Sequence, residues 1–313
     1  QNIMIKDFFS LNDLISEKLN SNEPFSLLRL DNTAGYVLQC EFNNTPISPE
    51  FFSERALAFE GGINPGTHEY YFNTIAPLLR TVMSECDILG FVDISLEIQR
   101  DTRFTNTFGE KPMFFGHDSL MVLDPIGLLR GGLCGTFKVK NPWTKYLKNK
   151  KVLVVSTHCE TIKSQWEKID KIWGNNLELV APFELVGCIR SPYHPLLDDR
   201  QYPGCETWLD NVEYIKKEID KYDYDVLIGG SSGSSPIYAE HAKKRGKVGI
   251  QIGGMHQLLF GILGFRWAPE ANNGYRVWAE YFNEHWIYPL KEDEARNRDQ
   301  VRHMEGNYAY WKP

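Results

Sequence analysis

Residues 150–254 constrain the fold more than any other part of the chain, because short apolar runs there alternate with amphipathic helical patterns. KKVLVVS (150–156) is followed by ETIKSQWEKIDKIW (160–173), LVGCIR (185–190), TWLDNVEYIKKEIDKY (207–222), DVLIGG (225–230), PIYAEHAKKRG (236–246) and KVGIQIGG (247–254). Strands this uniformly apolar have no polar face to give to water, so both faces of their sheet must be covered. The intervening helices supply that cover through βαβ crossovers, which make neighbouring strands parallel. The expected class is therefore α/β, with a mostly parallel sheet and helices on both faces. At 313 residues and 42% hydrophobic, the chain can bury a substantial core.

The first half is less regular. LNDLISEKL (11–19) has helical apolar spacing, and PFSLLRL (24–30) reads as a buried strand running into a polar turn at Asp31, Asn32 and Thr33. Helices are expected near 49–59 and 69–83, strand structure over 88–98, and a loop-rich stretch over 100–135. Two parts result. Residues 1–141 carry the strand end at Arg29 and Asp31 and continue into the same fold; residues 142–313 hold the clear βα pattern and an aromatic C-terminal segment. Trp267, Trp278, Trp286, Tyr288, Tyr308, Tyr310 and Trp311 crowd this last part. Core packing is preferred for them over a sugar-stacking platform, because aromatic side chains dominate burial.

Composition excludes several classes. A net charge of -7 without a broad basic face disfavours nucleic acid as a partner. No apolar run approaches the ~20 residues that span a bilayer, and the N-terminus lacks a leader pattern. The expected location is cytoplasmic, with peripheral membrane contact left open. The six cysteines (Cys40, Cys86, Cys134, Cys159, Cys188, Cys205) contain no CxxC pair and read as reduced thiols. Cys159, just beyond a strand, is a candidate nucleophile, with a bystander thiol the preferred reading.

Two glycine-rich segments follow neighbouring strands: GGSSGSSP (229–236) and GGMHQ (253–257). In parallel sheets, ligands bind beyond the carboxyl ends of the strands. Glycine permits close backbone approach, and the first N–H groups of the next helix favour an anion, so a diphosphate fits. His256 and Gln257 are expected to project into this crevice, where a histidine can contact phosphate or ribose or act as a base. Arg29 and Asp31 share one strand face, because side chains alternate. Asp93, Glu97, Asp118 and Glu160 are further carboxylates near expected strand ends.

The strings at 24–40, 151–168, 223–267, 281–289 and 305–311 resemble the GT-D-fold glycosyltransferase superfamily, especially its polysaccharide-biosynthesis relatives. Their pattern of GK, IHLGG, a QLLFGI run and RW is matched at Gly246 to Trp267. The resemblance implies a Rossmann-like sheet of GT-D type, a nucleoside diphosphate sugar donor of UDP or GDP type, and a glycan or lipid-linked acceptor. It also implies a D-x-E motif that binds Mn or Mg with the donor phosphates. The matching residues are Arg29, Leu30, Asp31, Asn32, Thr33 and Ala34, so an amide and a methyl stand at the acidic positions, with Asp31 one residue away. Ser156 stands where many relatives carry a histidine.

On this reading, residues 142–313 form the nucleotide-sugar-binding part. Arg29, Asn32, Gly229, Gly230, Ser231, Ser232, Gly253, Gly254 and Gln257 lie at the donor, and Asp31, His256 and Glu160 are candidates for proton transfer. The metal ligands stay open, as does a catalytically disabled nucleotide-sugar-binding module. A Rossmann-type methyltransferase or dehydrogenase is disfavoured, because no GxGxxG follows a strand.

Overall fold

The computed structural model describes residues 3–5, 8–30, 32–51, 67–91, 102–115, 128–131, 135–138, 140–192, 202–230, 233–265, 281–294 and 311–312. Within them the strands are β1 (Ile3–Ile5), β2 (Phe25–Leu30), β3 (Ile88–Phe91), β4 (Pro112–Phe115), β5 (Leu128–Gly131), β6 (Gly135–Lys138), β7 (Lys151–Ser156), β8 (Glu184–Arg190), β9 (Val226–Gly229) and β10 (Val248–Gln251). Eight of them form one sheet in the order β1-β4-β3-β2-β10-β9-β7-β8, and β5 pairs with β6 in a separate antiparallel ribbon. Every neighbouring pair in the large sheet is parallel. The expected α/β class is thus the observed one.

Strand alternation divides the core in two. Phe25 and Leu27 of β2 face α1 (Phe8–Ser21), whose Leu11, Ile15 and Leu19 recur every four residues along one stripe. Leu28 and Leu30 face the opposite side. There they meet α2 (Asn32–Phe42), α3 (Ala76–Glu85) and α4 (Thr102–Phe108). In the second half, α5 (Cys159–Trp166) covers the α1 face, while α6 (Trp208–Ile219) and α7 (Ser235–Lys244) cover the other. Leu27 and Leu28 are both fully buried, about 2 kcal/mol each by area, so a one-residue slip of β2 gains nothing. Helix α6 starts at a capping box in which Thr207 accepts from the Asp210 N–H and Asp210 accepts from the Thr207 N–H.

Several sequence expectations change. The polar turn after β2 is the start of α2: Asn32 is already helical, because Val37, Leu38 and Phe42 supply an apolar stripe that the sheet buries. The 100–135 stretch holds α4, β4 and β5, with Phe104 and Phe108 buried beside Phe91. The helix expected over 160–173 is split into α5 and a short helix, Ile169–Trp173. That break turns Ile172 and Trp173 onto the segment after β10, where Trp173 Nε1 donates to Leu259 O at 2.7 Å. Of the 49–59 helix, Pro49–Phe51 is described and the rest lies outside the described residues.

Helix placement relative to the strands positions the site. The chain leaves β2 toward one face of the sheet through α2, and leaves its neighbour β10 toward the other through Gly253–Met255 and His256–Leu259. Where adjacent parallel strands send their connections to opposite faces, a crevice opens at their carboxyl ends.

Candidate functional site

At the carboxyl ends of β2 and β10, where that topology calls for a crevice, Arg29 stands on one side and the Gly253 loop on the other. The ladder joins Ile250 to Leu27 and ends there, after which the Gln251 side chain continues it: its Oε1 accepts from the Arg29 N–H at 2.6 Å. Gln251 is 5% exposed and bridges the two strands at their ends. Sequence reasoning passed over it; the signal available was one amide closing an apolar strand.

The Arg29 guanidinium lies against Gly253. That residue sits at φ 64°, in the left-handed region, and a β-carbon on it would collide with Arg29 Nη1. Arg29 Nε is buried and has no hydrogen-bond partner among the described residues. A charged donor in this position is costly unless an anion meets it.

His256 joins three strand ends. Its Nδ1 lies 2.8 Å from the Gly253 carbonyl and its Nε2 2.6 Å from Ser156 Oγ at the end of β7. The ring also occupies the space in which a β-carbon of Gly230, just past β9, would stand. Burial pushes its pKa down to about 4, partly opposed by the bond to Gly253, so the ring is neutral near pH 7. Both ring nitrogens are therefore engaged inside the protein, and the residue is 2% exposed.

The glycines thus make room for protein groups as well as for a ligand. Gly230 accommodates His256, Gly253 accommodates Arg29, and Gly229 lies close against Ser235, which opens α7. Gly254 is the least buried member of its loop, and Gln257 is fully buried. Asn32 begins α2 at the crevice. Asp31, Ser231 and Ser232 lie outside the described residues, as do Asp93, Glu97 and Asp118.

Glu160 is not brought to Arg29. It lies in the first turn of α5 beyond β7, is exposed, and pairs with Lys163 at 3.0 Å. Since β9 and β10 stand between β7 and β2, about 14 Å of sheet separates those strands. Its neighbourhood is organised instead by Asp293, which sequence reasoning missed. Asp293 is 2% exposed and accepts from the Glu160 N–H, the Thr161 N–H and the Thr161 hydroxyl, capping α5 from a remote segment. Burial raises its pKa, and those hydrogen bonds oppose the rise. Cys159 is 4% exposed with its thiol directed at the Ser156 carbonyl, a packed thiol.

The aromatic segment packs where it is described. Trp286 meets Trp173 and Phe282, and Trp311 stands edge-on to His158 at 4.6 Å. Trp267, Trp278, Tyr308 and Tyr310 lie outside the described residues. At the positions where the resemblance would put a D-x-E motif stand Asn32 and Ala34, and an amide with a methyl does not fit a hard divalent cation. Among the described residues no group of three or more His, Cys, Asp or Glu is placed to hold a metal. No helix among them is long and apolar enough to cross a membrane.

No family model matches this chain, and no curated protein matches it. A solved structure described as a new glycosyltransferase (DUF1792) from Streptococcus sanguinis is similar at 11% identity, covering 100% of this chain and 96% of that one, with a TM-score of 0.45. A similarity that slight carries no argument about activity.

Proposed function

We propose that the protein is a glycosyltransferase that moves a sugar from a nucleoside diphosphate donor to a hydroxyl of a glycan or lipid-linked acceptor. The diphosphate sits in the β2–β10 crevice. One observation carries this reading: the Arg29 guanidinium lies across Gly253 at the carboxyl end of two parallel strands, with Nε buried and unpartnered among the described residues. A guanidinium presents donors in a rigid fork that matches phosphate oxygens. The resemblance of Gly246 to Trp267 to the GT-D relatives adds the donor class.

In the reaction the anomeric C–O bond to the diphosphate breaks and negative charge collects on the leaving phosphate. A fixed guanidinium meets that charge without reorganising, and so lowers the barrier. The acceptor hydroxyl becomes the new glycosidic oxygen and gives up its proton. Asp31, two residues past Arg29 on the chain, is our candidate to take it. No step passes through a metal.

Calorimetric titration with UDP-, GDP- and dTDP-sugars tests the site. The protein is expected to bind at least one of them, and Arg29→Ala to weaken that binding about 10- to 100-fold, the worth of a lost charged hydrogen bond. Failure of the unmodified protein to bind any of the three overturns the proposal. Binding without nucleoside diphosphate release, to acceptor or water, makes the protein a nucleotide-sugar-binding module, which the neutral Asn32 and Ala34 would suit.

A further inference from the structure

A buried polar chain runs from the end of β7 into the Gly253 loop. Its members are the His158 N–H, 3.0 Å from Ser156 Oγ; the Ser156 hydroxyl, 2.6 Å from His256 Nε2; and His256 Nδ1, 2.8 Å from the Gly253 carbonyl. Every direction in it is determined. A carbonyl can only accept, so Nδ1 carries the ring proton and donates to Gly253. In a neutral imidazole Nε2 is then bare and must accept, so the Ser156 hydroxyl donates to it. The hydroxyl oxygen, in turn, takes the His158 N–H.

The arrangement looks like a nucleophile and its base, yet Ser156 is completely buried and His256 nearly so. Neither can reach a substrate in this state. What the chain does reach is backbone: it holds the Gly253 carbonyl, and Gly253 is the residue against which the Arg29 guanidinium lies. The ring lies where a β-carbon of residue 230 would stand, so only a glycine there leaves room for it.

We infer that Ser156 and His256 are a positioning pair that sets the backbone at Gly253, and with it the seat of Arg29 for a diphosphate, and that His256 transfers no proton in the reaction. The inference rests on the crevice being the diphosphate site, but the loop geometry can be tested without that premise. An asparagine at 256 can offer an N–H near the place of Nδ1 and has nothing in place of the Nε2 base. His256→Asn therefore separates the two roles, and His256→Leu removes both.

Hydrogen exchange at the amides of residues 253–257 gives the first readout. Exchange is expected to rise at least tenfold in His256→Leu and to stay within about threefold of the unmodified protein in His256→Asn. Affinity for the best-bound nucleotide sugar, or for UDP and GDP alone, is expected to follow the same order. A His256→Asn protein with normal affinity and normal turnover supports positioning. One with normal affinity but turnover lowered a hundredfold or more makes His256 a base and overturns the inference.

Unchanged loop exchange in His256→Leu also overturns it, whatever the nucleotide result. If loop exchange behaves as expected but the unmodified protein binds no nucleotide, the proposed function alone fails. Should His256→Leu not fold, Ser156→Ala carries the comparison. It removes the hydroxyl that donates to Nε2: the ring is expected to keep its Nδ1 proton, with the Nε2 ¹⁵N signal moved to that of an unbonded nitrogen and exchange at residues 253–257 raised about two- to threefold. An unmoved Nε2 signal with unchanged loop exchange in Ser156→Ala overturns the role given to Ser156.

Discussion

At the scale of single residues, the lesson concerns what the glycines are for. A glycine-rich strand end is easily read as backbone bared for a ligand, but at Gly230 and Gly253 the freed volume is filled by His256 and Arg29. The histidine then has a measurable signature. Burial depresses its pKa from 6.5 to about 4. Between those values the unfolded chain takes up a proton that the folded protein refuses, so stability is fully present above pH 6.5 and declines as pH falls toward 4. At ~1.4 kcal/mol per tenfold in proton affinity, the loss approaches about 3 kcal/mol. Denaturant unfolding at pH 7, 5.5 and 4.5, compared between the unmodified protein and His256→Asn, isolates this contribution from that of the carboxylates. Parallel pH profiles for the two proteins would show that His256 titrates normally.

At the scale of elements, remote segments finish what local sequence begins. Helix α5 has His158 at its N-cap with no side-chain cap bond, and Asp293 supplies the acceptors from more than a hundred residues away. Thr161 Oγ1 also accepts from the Leu290 N–H, and Gln165 Nε2 donates to the Gly261 and His285 carbonyls, so α5 is stitched to the segments on either side. Asp293→Ala leaves two N–H groups and the Thr161 hydroxyl proton without an acceptor in a largely buried place. A loss of about 2–3 kcal/mol in denaturant unfolding is expected, with faster amide exchange at Glu160 and Thr161. Asp293→Asn, which keeps one acceptor oxygen, should lose less. Equal stability for Asp293→Ala and the unmodified protein would mean that water caps α5 as well as the carboxylate does.

At the scale of the molecule, the two halves of the chain meet between β2 and β10, and a partly buried charge network crosses that seam. Glu240 of α7 is 1% exposed, accepts from the Ser26 hydroxyl at 2.5 Å and pairs with Lys243 at 2.8 Å. Asp87, just before β3, accepts from the Ser26 N–H and lies 3.6 Å from the same lysine. Helix α7 can come this close because Gly249 has no β-carbon to strike the Ala239 carbonyl. Removing Glu240 leaves the buried Ser26 hydroxyl without its acceptor, while Lys243 keeps Asp87 and the Glu85 carbonyl, so the cost is about 1–3 kcal/mol. Glu240→Ala is expected to lose that much in chemical denaturation. Glu240→Gln, still an acceptor for Ser26, is expected to lose less, and a cost below about 1 kcal/mol for Glu240→Ala would mean the network adds nothing to the seam.

How much of this was legible follows from how far each signal reaches along the chain. The βα alternation of 150–254 determined the class, the parallel sheet and most strand bounds, because uniformly apolar runs between amphipathic helices admit few other arrangements. Arg29, Gly230, Gly253 and His256 could each be picked out, since a cation or glycine at a strand end is unusual locally. Their relations could not. That Arg29 rests on Gly253, that Ser156 rather than a substrate meets His256, and that Asp293 rather than Glu160 governs α5 depend on how distant parts of the chain are brought together, above all by the pairing of β10 with β2 across more than two hundred residues. The helix at 32–42 was hidden for the same reason: its stripe is short, and only the buried face of β2 gives it a reason to form.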